Sequence, residues 1–183
     1  MDANGVLTGR IALVTGAGRD IGAAIARGYA RAGAVICCMA RTPSEIAATA
    51  RAIEEDGGRA FAIPGDVTDA GSVSRALAAA NERAGGIDIL VINAGVSLDP
   101  GTVEQSDPDR WRQTIEVNLF GAHHCSRLAI PHLRRRSGGK IIAIGSGLGH
   151  SSRGERRLIP ARRPVCGCSS AFWRTSLGPI TSR

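Results

Sequence analysis

Short, unbroken apolar runs alternate with longer stretches whose apolar residues recur at helical spacing. The first run, RIALVT at residues 10–15, ends at glycines and reads as a buried strand. Residues 16–33, GAGRDIGAAIARGYARAG, carry a helical pattern that Gly33 stops. A second apolar run covers residues 34–40. The helix predicted over 42–58 has Thr42 or Ser44 as its cap and Gly57 and Gly58 as its end. A third strand is predicted over 59–67, a third helix over 69–86 and a fourth strand over 87–95. Residues 111–136 read as one long helix, bent near its end by Pro131, with Arg134, Arg135 and Arg136 beside its last carbonyls. KIIAIGS, residues 140–146, is a fifth strand.

Continuous rather than alternating apolar strands are the mark of a parallel sheet covered on both faces by helices. Right-handed crossovers turn this order into a doubly wound α/β sheet. The alternation stops near His150, so the expected organisation is one domain over residues 1–150 and an aberrant, unstructured basic tail over 151–183.

Composition changes this picture little until charge is mapped. A chain of 183 residues with 43% hydrophobic and 21% charged residues suits one globular domain. The sequence has no apolar run of the roughly 18 residues a membrane helix needs, and MDANGVLTGR has no basic-then-apolar leader, so a cytoplasmic protein without a membrane partner is expected. The net charge is +7, but residues 1–150 carry only +1 and residues 151–183 carry +6. An arginine tail of this kind can bind nucleic acid. Apart from Phe172 and Trp173 it lacks aromatic interleaving, and no nucleic-acid partner is expected. Cys37, Cys38, Cys125, Cys166 and Cys168 read as free thiols, with Cys37 and Cys38 buried spectators. His123, His124 and His132 read as satisfied or solvent-facing residues, and no metal site is expected.

Candidate chemistry begins at VTGAGRDIG, residues 14–22, between the first strand and the first helix. A dinucleotide pyrophosphate needs close backbone approach and a helix N-terminus aimed at it. Gly16 permits the tight turn, Gly18 removes a side chain, and Gly22 lets helix and sheet approach. The end of the second strand tests the cofactor's ribose. An acid there would bond the 2′-hydroxyl of NAD. Ala40 takes that place and Arg41 follows; Arg41, with Arg19 as a second partner, suits a 2′-phosphate, so NADP(H) is the expected cofactor.

These residues resemble the short-chain dehydrogenase/reductase family. TGAGRDIG is similar to its cofactor loop, GDV at 65–67 to its adenine-binding Asp-Val, and INAG at 92–95 to its Asn-Asn-Ala-Gly. VNLFG at 117–121 resembles the segment with the catalytic asparagine, and KIIAIGS the strand that ends on the catalytic serine. The resemblance implies a Rossmann-like fold, incomplete after the fifth strand, and an oxidoreductase of the 3-oxoacyl-carrier-protein reductase type. Its implied substrate is a small carbonyl compound or alcohol, and its implied assembly a homo-oligomer, with an interface incomplete in this chain. By the same resemblance Thr15 orders the loop, while Gly16, Ala17, Gly18, Arg19 and Ile21, with Gly22 behind them, line the pyrophosphate. Asp66 and Val67 hold adenine, and Asn93, Ala94 and Gly95 flank the ribose. Asn118 positions a water in a proton relay, and Ser146 bonds the substrate oxygen.

Three departures stand out. Asp20 replaces a glycine of the loop, and Ile92 replaces the first asparagine of Asn-Asn-Ala-Gly. The family's Tyr-x-x-x-Lys pair is missing beyond Ser146. The chain's one tyrosine is Tyr29 and its one lysine Lys140, while Ile159 and Arg163 stand where the pair belongs. An alkoxide formed by hydride transfer needs a proton, and a general acid contributes roughly 10²–10⁴-fold. Impaired turnover is therefore expected, with an inactive NADP(H)-binding domain or partner subunit as the alternative. A shifted reading frame is the expected origin of the tail. A sheet exposed on its far side is expected to make the product aggregation-prone.

Overall fold

The computed structural model describes residues 5–99, 102–136 and 138–145. They form a five-stranded parallel sheet in the order β3-β2-β1-β4-β5. The strands are β1 (Ile11–Thr15), β2 (Val35–Ala40), β3 (Arg59–Pro64), β4 (Ile89–Ile92) and β5 (Lys140–Ala143). The helices between them are α1 (Asp20–Arg31), α2 (Pro43–Glu55) and α3 (Ala70–Ala84). From β4 to β5 the chain passes through α4 (Pro108–Ile115), a π-helical turn (Glu116–Phe120) and α5 (Gly121–Arg135).

Period-two geometry explains why the strands are apolar on every residue. Ile11 and Leu13 of β1, Cys37 and Met39 of β2, and Leu90 and Ile92 of β4 face one core, against α3 and α5. Their neighbours Ala12, Val14, Ile36, Cys38, Ile89 and Val91 face the other, against α1 and α2. The doubly wound sheet predicted from the pattern is the observed one. Burial pushes the Cys37, Cys38 and Cys125 thiols up to about 12, so they pack as inert apolar groups. Cys166 and Cys168, the tail and Ser146 lie outside the described residues.

The third, fourth and fifth strands end earlier than predicted, at Pro64, Ile92 and Ala143. Beyond Pro64 one further amide, that of Gly65, still pairs with Ala40 O; the amides after it and after Ile92 bond elsewhere. Asp66 N–H donates to Ser72 Oγ at 2.9 Å, and the N–H groups of Asn93 and Ala94 both donate to Thr15 Oγ1 at 3.0 Å. These departures from the sheet form the walls of a cleft.

The long helix also differs. It begins at Pro108, three residues before the predicted start, because Asp107 accepts from the N–H groups of Asp109 and Arg110 and proline is preset for the first helical position. The π turn interrupts it at Asn118. Thr42 occupies the cap position of α2, but its side chain makes no cap bond.

Candidate functional site

In an open sheet of this order the crevice lies beyond the C-terminal strand ends, beside β1, where the winding reverses. A cleft of about 480 Å³ opens there. Its floor is the loop between β1 and α1. Thr15 is fully buried and ties three segments: its hydroxyl donates to Val91 O at 3.2 Å and accepts from Asn93 and Ala94. Asn93 returns the contact, its Nδ2 donating to Thr15 O at 3.1 Å and Gly16 O at 3.4 Å. Together they hold the loop against the end of β4.

Two of the loop's glycines are required by geometry. Gly16 has φ 65°, a left-handed conformation. A Cβ on Gly22 would stand 2.0 Å from Gly16 O and 2.6 Å from Asn93 Nδ2. Gly18 O accepts from Thr49 Oγ1 at 3.2 Å, which anchors the loop to α2. No side chain caps the N-terminus of α1, and Ile21 and Gly22 in its first turn line the cleft. An uncapped N-terminus whose first turn excludes a Cβ at Gly22 is the cradle a pyrophosphate requires. The dinucleotide fits the residues present.

Asp20 has φ 49°, a conformation that glycine adopts freely and aspartate only at a cost. Its carboxylate is largely solvated and lies 3.8 Å from Arg19 Nε. Both side chains are exposed, so this pair contributes little. Replacing Asp20 with glycine removes the left-handed cost and a negative charge from the cleft rim. The variant is expected to gain about 0.5–1 kcal/mol of stability. A thermal melt checks this; an unchanged or lower melting temperature contradicts it.

The other walls carry most of the remaining predicted residues. Arg19, Ile21, Ala40 and Arg41 line the cleft near β1 and β2, Asp66 and Val67 line it beyond the end of β3, and Asn93, Ala94 and Gly95 beyond the end of β4. Ala40 leaves the end of β2 without a carboxylate, while Arg41 is exposed to the cleft. Asp66 Oδ1 is held by Thr68, through its N–H at 2.9 Å and its hydroxyl at 2.8 Å. Ala17 departs from the expectation that residues 16–21 line the pyrophosphate: its methyl is fully buried in the core on the α1 and α2 side, and its N–H pairs with Met39 O at 3.2 Å rather than facing the cleft.

Asn118 stands behind the cleft wall. Its amide pairs with both backbone polar groups of one residue: Val96 N–H donates to Oδ1 at 2.8 Å and Nδ2 donates to Val96 O at 3.0 Å. The side chain is thus engaged with backbone, keeping one N–H and one lone pair of its amide beyond these two bonds. A π turn shifts the regular i→i+4 bonding of the helix there. Tyr29 packs on the core beneath α1, and Lys140 begins β5 at the opposite end of the strand from the cleft. Neither reaches the site. Thr42, Glu45 and Val96, which the motifs do not mark, also line the cleft, as do Gly65 and Val117 of the GDV and VNLFG segments. For Glu45 and Thr49 a signal existed: both lie on the helix that follows Arg41.

The family model for short chain dehydrogenases matches residues 10–157. The short-chain reductase protein NovJ of Streptomyces niveus is 38% identical over 172 residues, which is 92% of this chain and 64% of that protein. The 3-oxoacyl-[acyl-carrier-protein] reductase FabG of Vibrio harveyi is 34% identical over 169 residues, 92% of this chain and 68% of its own. A metagenomic short-chain oxidoreductase, solved in complex with NADP, superposes with a TM-score of 0.85 at 30% identity, over 93% of this chain and 77% of that one. The chain spans about half to two thirds of the length of the curated relatives it matches.

Proposed function

The chain belongs to the short-chain dehydrogenase family, and from that membership we propose that its cleft binds NADP(H) in the service of hydride transfer to or from a ketone or secondary alcohol. The observation that carries the cofactor reading is the end of β2, where Ala40 replaces an acid and Arg41 opens onto the cleft. Arg41 and Arg19, both lining the cleft, suit a 2′-phosphate, and the uncapped N-terminus of α1 suits the pyrophosphate. Asp66 and Val67 form the adenine wall, and Asn93, Ala94 and Gly95 the ribose wall. When bound, NADPH supplies the hydride; the chain's own residues hold and orient it. Residues 1–150 are the cofactor-binding domain in this reading.

A second reading is favoured by the absence of Tyr-x-x-x-Lys: cofactor binding without turnover. Arg41→Ala tests the shared part of both readings. A charge-assisted bond to phosphate contributes about 1.5–3 kcal/mol, so NADPH binding is expected to weaken about 10-fold or more while NADH binding hardly changes. Fluorescence titration with both nucleotides reads this. Equal loss for the two would remove the 2′-phosphate assignment. Saturable NADPH binding without ketone-dependent oxidation selects the second reading.

A further inference from the structure

The mechanism above makes no use of His124, yet this residue meets the cleft from behind. It lies on α5, and its Nδ1 is 3.0 Å from Val67 O. A carbonyl can only accept, so Nδ1 carries the proton and donates. One helical turn earlier, Gly121 receives the side chain of the same residue: a Cβ on Gly121 would lie 2.7 Å from Val67 Cγ2. Val67 is therefore seated on α5 by both its side chain and its carbonyl. The preceding residues are held from other directions. Gly65 packs on Met39, with a would-be Cβ 2.6 Å from Met39 Cε, and Asp66 is bonded to Ser72 and Thr68 on the α3 side. Only the Val67 peptide depends on α5, and it is 8% exposed, so its carbonyl has little water to fall back on.

We propose that His124 is a positioning residue for the adenine half of the cofactor: its Nδ1–H holds the Val67 carbonyl and thereby fixes the wall on which adenine rests. The proposal rests on the NADP(H) reading of the cleft. Six residues before His124, Asn118 clasps Val96 on the opposite wall, so a single helical segment sets both sides of the crevice.

The test titrates the full chain with NADPH and, by displacement, with 2′,5′-ADP, which carries only the adenine half. His124→Leu keeps bulk but has no donor; His124→Asn keeps an N–H donor near the place of Nδ1. His124→Leu is expected to weaken NADPH and 2′,5′-ADP alike by about 10-fold, and His124→Asn to stay within about 3-fold of the parent chain. Equal loss in both variants, or a loss for NADPH that 2′,5′-ADP does not share, overturns the proposal, whatever the melting temperatures do. A parent chain that binds NADPH normally and a His124→Leu variant that binds as well overturn it alone. A parent chain with no saturable NADPH binding overturns the cofactor reading and the proposal together.

Discussion

Gly22→Ala is expected to cost the protein both the proposed NADP(H) site and a large part of its stability. The added methyl would meet Gly16 O at 2.0 Å, Gly16 C at 2.7 Å and Asn93 Nδ2 at 2.6 Å. The first two are backbone atoms of a turn already held at φ 65°, so no rotamer change relieves the overlap. The third belongs to the side chain that fastens the loop to β4. Either α1 moves off the sheet or the turn opens. Overpacking costs about 1–3 kcal/mol and sometimes more, and a backbone clash belongs at the upper end. A loss of about 3 kcal/mol lowers the melting temperature by roughly 10 °C in a domain of this size. NADPH binding is expected to vanish even below the transition, because the amides of the first turn of α1 no longer converge. Retained binding with an ordinary melt would mean that the loop is far more compliant than its contacts imply.

The need for glycine at position 22 is legible in the sequence because glycine spacing is a local property. The same holds for the alternation of strands and helices, which needs only periodicity over a few residues. What escaped lies between segments far apart in the chain. Nothing near Val67 announces that His124, 57 residues on, will meet its carbonyl. Nothing near Gly18 announces Thr49, 31 residues away. The π turn over Glu116–Phe120 has no local signal either, and the clasp of Asn118 on Val96 within it joins residues 22 apart. Ala17 was misread for a simpler reason. A motif says which residues form a loop, but in a turn this tight successive side chains point to opposite sides, and one of them must face the core.

Asp88 is the residue whose loss should separate stability from binding. It precedes β4, at the end of the sheet away from the cleft, and it is 3% exposed. One oxygen accepts from Ile11 N–H at 2.9 Å, and Arg136 reaches both, with Nε and Nη2 each at 3.3 Å. Arg10 adds a contact at 3.6 Å, and Arg136 lies across Gly86, where a Cβ would come within 2.7 Å of its Cδ. The carboxylate thus joins the start of β1 to the end of α5. Breaking a buried pair costs about 3–5 kcal/mol when the remaining charge stays buried. Here the arginines can turn toward water, but the Ile11 amide cannot, so Asp88→Ala is expected to cost about 3 kcal/mol. Arg136→Ala should cost much less, about 1 kcal/mol, because Asp88 keeps Ile11 and Arg10. Chemical denaturation of the two variants measures the difference. NADPH affinity, read well below the unfolding transition, should stay within about 2-fold of the parent in both, since no cleft residue touches Asp88. Were Asp88→Ala to abolish binding while the chain remained folded, the two ends of the sheet would be coupled through β1 and β4 more tightly than their separate hydrogen-bond networks indicate.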